Sequence, residues 1–293
     1  MSKTHEAIMV KEILEYLILN KNGTYVDCTF GAGGHSEAII QTLNPKGVLI
    51  GFDRDKNTAD HMPYNLKSDS RFTLINDAFS NMNKYLQGNE LDGILIDLGI
   101  SSTQLDSPIR GFSFQKEGPL DMRMSTQDDL SAADWINNAS KKEIEDVLWN
   151  LGEERASRKI AKLICEHRVK EQIETTQDLV KLIVSCVPRR GNKHPATNTF
   201  RAIRMVVNKE LEELRSVLDN AGSLLKLGGR VAIISFHSIE DRIVKRFIQG
   251  KDRISSKVEL RVVGNKFIKP DLDEIKANPR SRSAILRIAE KVA

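Results

Sequence analysis

The stretch Val26-Asp27-Cys28-Thr29-Phe30-Gly31-Ala32-Gly33-Gly34-His35-Ser36 decides how this chain is read. A short β-prone run ends in an acid, a glycine-rich turn follows, and Glu37 to Leu43 continues as a helical run. Such a strand–turn–helix lets backbone N–H groups approach a ligand closely, because glycine has no Cβ to block it. The next strand, Val48-Leu49-Ile50-Gly51-Phe52-Asp53, also ends in an acid, 22 positions after Gly31. That is near the spacing at which an acidic side chain meets a ribose hydroxyl in a nucleoside-binding α/β crevice. The competing reading is a tight turn that only packs a helix on a sheet; Asp53 in register weighs against it.

A dinucleotide fingerprint requires a third glycine where this chain has Ser36. A pyrophosphate needs that close helix approach, whereas S-adenosylmethionine carries no phosphate. Its methionine end bears an amine and a sulfonium, both positive, which suits Asp27. The turn therefore favours S-adenosylmethionine over NAD.

A chain of 293 residues allows one or two domains, and 40% hydrophobic residues supply a core. Aromatics at 5% argue against wide base-stacking platforms, and a net charge of +4 leaves any nucleic-acid surface to local clusters. Three well-separated cysteines, Cys28, Cys165 and Cys186, offer neither a disulfide framework nor metal spacing, so no metal site is expected. The N-terminus interleaves charges with its apolar residues and no apolar run reaches membrane length. A cytoplasmic protein is expected.

Outward from the opening stretch, residues 6–19 predict an amphipathic helix and 56–66 a weak one. Arg71 to Ile75 predicts a third strand, followed by Asp77 and Phe79, an acceptor and an aromatic placed for an adenine; Phe79 reads equally well as core. Leu91 to Asp97 predicts a fourth strand, apolar throughout Ile94-Leu95-Ile96 as a doubly covered strand should be, and it is the third to end in an acid. A long loop follows through residue 125, of the kind that usually binds or covers something. From 131 to 187 the periodicity is helical, with start signals at Ser131/Asp134, Ser140/Glu143 and Thr175/Asp178. A long helix is predicted at about 199–220, a fifth strand at Val231–Ser235, a helix capped by Ser238 with Asp241, and two closing strands near 257–263 and 284–289. The fold class is thus α/β, a doubly wound sheet with an inserted all-helical domain. Its expected boundaries are 1–125 plus 199–293 for the sheet domain and 126–198 for the insert.

Seven stretches then resemble one family. They are Asp27-x-Thr29-x-Gly31-x-Gly33-Gly34-His35-Ser36, Asp97-Leu98-Gly99-x-Ser101-Ser102-x-Gln104-Leu105-Asp106, Arg110-Gly111-Phe112-Ser113-Phe114, Gly118-Pro119-Leu120-Asp121-Met122-Arg123-Met124, His194-Pro195-Ala196-Thr197-x-Thr199-Phe200, Ser235-Phe236-His237-Ser238-x-Glu240-Asp241-Arg242 and Asn278-Pro279-Arg280-Ser281-Arg282-Ser283. Long and in fixed order across nearly the whole chain, they resemble the bacterial 16S ribosomal RNA cytosine-N4 methyltransferases. That resemblance implies a class I (Rossmann-like) methyltransferase sheet and methylation of the exocyclic amine of one cytidine in the decoding centre of the small ribosomal subunit. It implies cofactor contacts at Gly33, Gly34 and His35, at Asp53 for the ribose, at Phe79 for the adenine, and at Asp97 and Gln104 near the methionine end. The chain lacks the proline pair that many amino-methyltransferases carry after the fourth strand, having Asp97-Leu98-Gly99-Ile100 instead.

The N4 amine of cytosine is a poor nucleophile because its lone pair is delocalised into the ring. An enzyme must align it with the methyl group and place acceptors on its hydrogens. Asp97 is the expected acceptor, and a purely cofactor-holding role is an equal alternative. His35 is expected to position cofactor contacts and His237 to cap or orient a loop. The base must leave its stack to be reached. RNA contact is expected from Arg189, Arg190, Lys193 and His194 with Arg201 and Arg204, and a second basic group is Arg280, Arg282 and Arg287. A non-catalytic S-adenosylmethionine-binding assembly factor and a nicotinamide dehydrogenase are the rival functions. The expected partner is 16S ribosomal RNA within the small subunit; the sequence leaves the oligomeric state open, a homodimer included.

Overall fold

The structure is a computed structural model that describes residues 7–86, 88, 90–189, 191, 193–251 and 258–293. The chain forms two compact units, Met1–Gly99 with Leu211–Ala293, and Ile100–Glu210.

In chain order the elements before the second unit are α1 (Val10–Leu17), β1 (Thr24–Asp27), α2 (Gly34–Thr42), β2 (Val48–Phe52), α3 (Tyr64–Lys67), β3 (Phe72–Ile75) and β4 (Leu91–Asp97). The second unit contributes α4 (Ser102–Asp106), α5 (Ala132–Asn138), α6 (Lys141–Asn150), α7 (Ser157–Arg168), α8 (Thr176–Cys186) and α9 (Thr197–Val207). The chain then continues through α10 (Glu210–Leu224), β5 (Leu225–Ser235), α11 (Ser238–Ile248), β6 (Leu260–Val262), α12 (Leu272–Ala277) and β7 (Ile285–Lys291).

The first unit is built on a seven-stranded sheet of order β3-β2-β1-β4-β5-β7-β6. β1 to β5 are parallel, and β7 runs antiparallel between β5 and β6. The register pairs Asp27 with Gly51 and with Leu95, so the acids that end β1, β2 and β4 emerge at one edge of the sheet. β1 is flanked by β2 on one side and β4 on the other, which makes this edge the point where strand order reverses, the place at which open α/β sheets bind ligands. Leu95, Ala232 and Ile234 share one face with Ile13 and Leu17 of α1 and Ile39 and Ile40 of α2. Ile94 and Ile96 are also fully buried, as a doubly covered strand requires.

The second unit has its own apolar core, in which Trp135, Ile144, Leu148, Ile160, Ile164 and Ile183 meet residues of α9. Ser131, Ser140 and Thr175 cap α5, α6 and α8 as the sequence predicts, with full capping boxes at Ser131/Asp134 and Thr175/Asp178.

The domain limits differ from the expected 126–198. Phe112, Leu120 and Met122 lie in the helical core, and Asn208 ties the loop to it by donating to Met122 O and accepting from Met124 N. The loop thus belongs to the helical body, although its polar sequence disguised this. The expected helix 199–220 is two helices, because Lys209 takes φ 51 between α9 and α10. The predicted helix at 56–66 is divided by Pro63 into a 3₁₀ turn, Lys56–His61, and α3. The expected Ser238 cap is instead His237, whose Nδ1 accepts from Glu240 N. Residue 6 of the predicted first helix, residue 257 of the sixth strand, and Arg190 lie outside the described residues.

Candidate methyl-donor site

The turn between β1 and α2 is set by its own hydrogen bonds. Phe30 N donates to Phe52 O and Gly33 N to Phe30 O, which folds the chain back before the helix starts. Gly31 and Gly33 take φ 56 and 82, where a side chain is strained. A Cβ on Gly33 would stand 2.8 Å from both Phe30 and Pro63, so the turn admits only glycine there.

The three strand-end acids differ in what they hold. Asp27 is fully buried; its carboxylate accepts from Thr29 N at 3.1 Å and from Ser36 Oγ at 2.7 Å. It braces the turn, and because it is fully buried it presents no accessible carboxylate to a cationic ligand, which corrects the expectation that it faces one. Asp53 accepts Gly31 N at 2.8 Å on Oδ2 and Asp55 N at 2.9 Å on Oδ1. The Thr58 side chain donates a third hydrogen bond, and the remaining lone-pair capacity is open to a hydroxyl. Burial pushes the Asp53 carboxyl up to about 6, opposed by those N–H donors. Asp97 is different again. Its backbone N–H donates to Thr29 Oγ1 at 2.7 Å, yet its carboxylate Oδ1 is buried with no hydrogen-bond partner among the described residues. Burial raises this carboxyl to about 6, His35 pulls it down, and Asp27 and Glu240 push it up. A buried acceptor left without a donor is costly in a folded chain, and a donor on a ligand would offset that cost.

His35 lies in the first turn of α2, with Nδ1 3.7 Å from Asp97 Oδ2. Its Nε2 bonds to Ile8 O at 2.8 Å, and since a carbonyl only accepts, Nε2 carries a hydrogen. His237 is held as a helix cap, with Nε2 3.0 Å from Glu240. Asp77 was expected to read an adenine, but its carboxylate accepts from Ala78 N, Asn81 Nδ2 and Tyr85 Oη and so caps its own turn. Phe79 opens the 3₁₀ helix Phe79–Lys84 and is half-buried.

The structure thus brings Gly33, Gly34, His35, Asp53 and Asp97 together at one sheet edge. Gln104 belongs to the second unit, where its Oε1 accepts from Ser101 N and its Nε2 donates to Met124 O as part of a helix cap. The expected basic cluster is also in the second unit, and much of it is committed. Arg204 forms two bonds to Glu210, at 2.7 and 2.9 Å. Arg201 donates to Gly152 O at 2.6 Å. His194 stacks on Phe114 with centroids 4.7 Å apart. Arg189 and Lys193 are exposed, Lys193 donating to Asn198. Arg287 is buried and bonded to Asp241 through two nitrogens, which removes it from the second basic group; Arg280 and Arg282 are exposed. Sequence reasoning missed Ile8 O and Glu274, which reach the site from both ends of the chain. It also missed Asn208, a lone polar residue without a pattern.

A sheet of this order with an antiparallel seventh strand, a glycine turn after β1 and acids ending β2 and β4 defines a class I, S-adenosylmethionine-dependent methyltransferase. More narrowly, the chain belongs to the MraW methylase family, which it matches over residues 2–292. It is 45% identical to the ribosomal RNA small subunit methyltransferase H of Ruthia magnifica, over 98% of each chain. It is 42% identical to that of Coxiella burnetii, over 99% of this chain and 100% of the relative, and 43% identical to that of a Marinomonas species over the full length of both.

The residues present fit S-adenosylmethionine. The glycine turn leaves open the space a Cβ would fill, Asp53 has lone pairs to spare, and Asp97 Oδ1 awaits a donor.

Proposed function

We propose that this protein methylates the exocyclic N4 amine of one cytidine in the decoding centre of 16S ribosomal RNA, acting on the small ribosomal subunit in the cytoplasm. The single observation that carries the reading is the unpartnered, buried Oδ1 of Asp97 at the strand-order reversal of a methyltransferase sheet. The relatives named as small-subunit ribosomal RNA methyltransferases support the substrate. Among the described residues no helix is long and apolar enough to cross a membrane, which is compatible with that location.

Bound S-adenosylmethionine supplies an electrophilic methyl group. Gly33, Gly34 and His35 would hold it at the turn, Asp53 at the ribose, Phe79 at the adenine, and Asp97 at the methionine end; Gln104, expected beside Asp97, serves the helix cap of the second unit. Asp97 has a further task. With its carboxyl near 6, it is ionised at neutral pH and accepts a hydrogen bond from the target amine. That bond strengthens as positive charge develops on N4 and supports the loss of the N4 proton. Arg189, Arg190 and Lys193 would contact the RNA backbone. His194, Arg201 and Arg204 act by shaping the helical unit beneath them.

The test is transfer of labelled methyl groups to small-subunit particles from cells lacking the protein, followed by nucleoside digestion. N4-methylcytidine is expected. Label at a ring carbon, on another RNA, or particle binding without transfer would overturn the assignment, the last in favour of a non-catalytic assembly factor.

A further inference from the structure

The Ile8–Met9 peptide group is held at both ends. Its N–H, on Met9, donates to Glu274 Oε1 at 2.7 Å. Its C=O, on Ile8, accepts from His35 Nε2 at 2.8 Å. The other ring nitrogen of His35 stands 3.7 Å from Asp97 Oδ2. One line of polar groups therefore runs from Glu274 on α12, through a single peptide unit, across the imidazole and on to Asp97. All of it lies in the first unit.

Two observations indicate that this peptide is placed and not merely packed. Met9 takes φ 53, a left-handed conformation uncommon outside glycine, and it does so where its N–H meets Glu274. Gly34 has no side chain where a Cβ would stand 2.9 Å from the Cβ of Ala7. Glycine at the first turn of α2 is thus what lets the strap Ala7–Met9 lie across it. Glu274 is 265 positions from Met9 in sequence, so the contact is a product of the fold.

We propose that Glu274 is a positioning residue for the methyl-donor site: through the Ile8–Met9 peptide it holds the Nε2–H of His35 and so turns Nδ1 toward Asp97. The inference rests on reading this edge as that site. A carboxylate accepting from one end of a peptide polarises it and makes the carbonyl at the other end a stronger acceptor. The hydrogen bond made by one ring nitrogen of a histidine determines what the other presents. The charged groups around this line are Asp97 on β4, Asp27 on β1, Glu240 on α11, and Glu12 and Asp271 beside Glu274. Burial lifts the Glu274 carboxyl above its ordinary range while the Met9 N–H pulls it down, consistent with a carboxylate held for that donor.

The experiment compares the wild-type chain with Glu274→Ala and Glu274→Gln. Calorimetry reads S-adenosylmethionine affinity, and two-bond proton–nitrogen spectra read the protonation of His35, assigned with His35→Gln. Glu274→Ala should weaken binding about tenfold, the net worth of one hydrogen bond, and the His35 Nε2 signal should shift as its acceptor is no longer held. Glu274→Gln keeps an oxygen for Met9 N–H and should restore the wild-type nitrogen pattern, with affinity within about threefold. Unchanged His35 signals in Glu274→Ala, whether or not its melting temperature falls, would overturn the proposal and leave Glu274 a structural contact. A wild-type chain that fails to bind S-adenosylmethionine would instead overturn the reading of the site.

Discussion

Replacing Asp97 with Asn should make the empty protein more stable and the enzyme worse. The Asp97 carboxylate has a buried oxygen without a partner among the described residues, and His35, 3.7 Å away, offers it an opposite charge only when protonated. Burial, chiefly, with Asp27 and Glu240 adding to it, lifts the carboxyl from 3.8 to about 6 against the pull of His35. Between about pH 4 and 6 the folded chain therefore holds a proton that the unfolded chain has released. Stability contributed by this group is complete below its unfolded value and is lost as pH rises through its folded value. At about 1.4 kcal/mol per tenfold change in proton affinity, the rise from 3.8 to about 6 amounts to about 3 kcal/mol lost at neutral pH. Asn is of the same size and carries no charge, so Asp97→Asn should gain about 2–3 kcal/mol at pH 7.5. The gain should vanish as pH falls toward about 4. Urea unfolding of both proteins, followed by circular dichroism at several pH values, measures this directly. Methyl transfer by the same variant should be lost or nearly so. An Asn variant no more stable than the wild type at neutral pH, or a difference that does not change with pH, would refute the reasoning. It would mean that the protein solvates Asp97 by groups other than those described.

Gly33→Ala should abolish S-adenosylmethionine binding seen by calorimetry and lower stability by about 1–2 kcal/mol or more, because φ is 82 and the new Cβ meets Phe30 and Pro63 at 2.8 Å. Arg204→Ala should cost about 3–5 kcal/mol in denaturant unfolding, since it strands Glu210 in a largely buried pair; a variant of wild-type stability that only binds RNA less well would restore Arg204 to the RNA surface. Arg189→Ala, Arg190→Ala and Lys193→Ala together should flatten the salt dependence of small-subunit binding by roughly two to three units, about 0.7–0.9 for each phosphate no longer neutralised. They should leave S-adenosylmethionine affinity intact, and an unaltered slope would move attention to Arg280 and Arg282, both exposed.

Much of the sheet was legible because its signals are local. β4 reads as a buried strand from three consecutive apolar residues, and the capping boxes at Ser131 and Thr175 announce their helices within four positions. What stayed hidden depended on distant partners. Nothing in Gly111 to Met124 says that the loop seals a helical core, since the decisive bonds come from Asn208, 84 and 86 positions away. Near residue 209 the strict helical spacing of 199–220 outweighs Asn208, the residue that ends α9. Arg201 and Arg204 look like a basic face until Gly152 O and Glu210 are seen to occupy them. Charge in sequence does not distinguish a free guanidinium from one spent on a neighbour.

The three strand-end acids show the same limit inside the site, and also why it can be overcome. Asp27, Asp53 and Asp97 are equivalent by position: each ends a parallel strand at the same edge. Their roles divide by what donates to them. Asp27 is fully buried and held by Thr29 and Ser36, so it becomes part of the turn. Two backbone N–H groups hold Asp53 in place while leaving lone pairs for a hydroxyl. No described residue donates to Asp97 Oδ1, which leaves that oxygen open to a ligand donor. The donors that decide this lie as little as two positions from the acid in one case and 22 in another. An acid at a strand end therefore points to the edge proposed for the ligand, and the hydrogen-bond accounting at that edge singles out which acid is open to meet it.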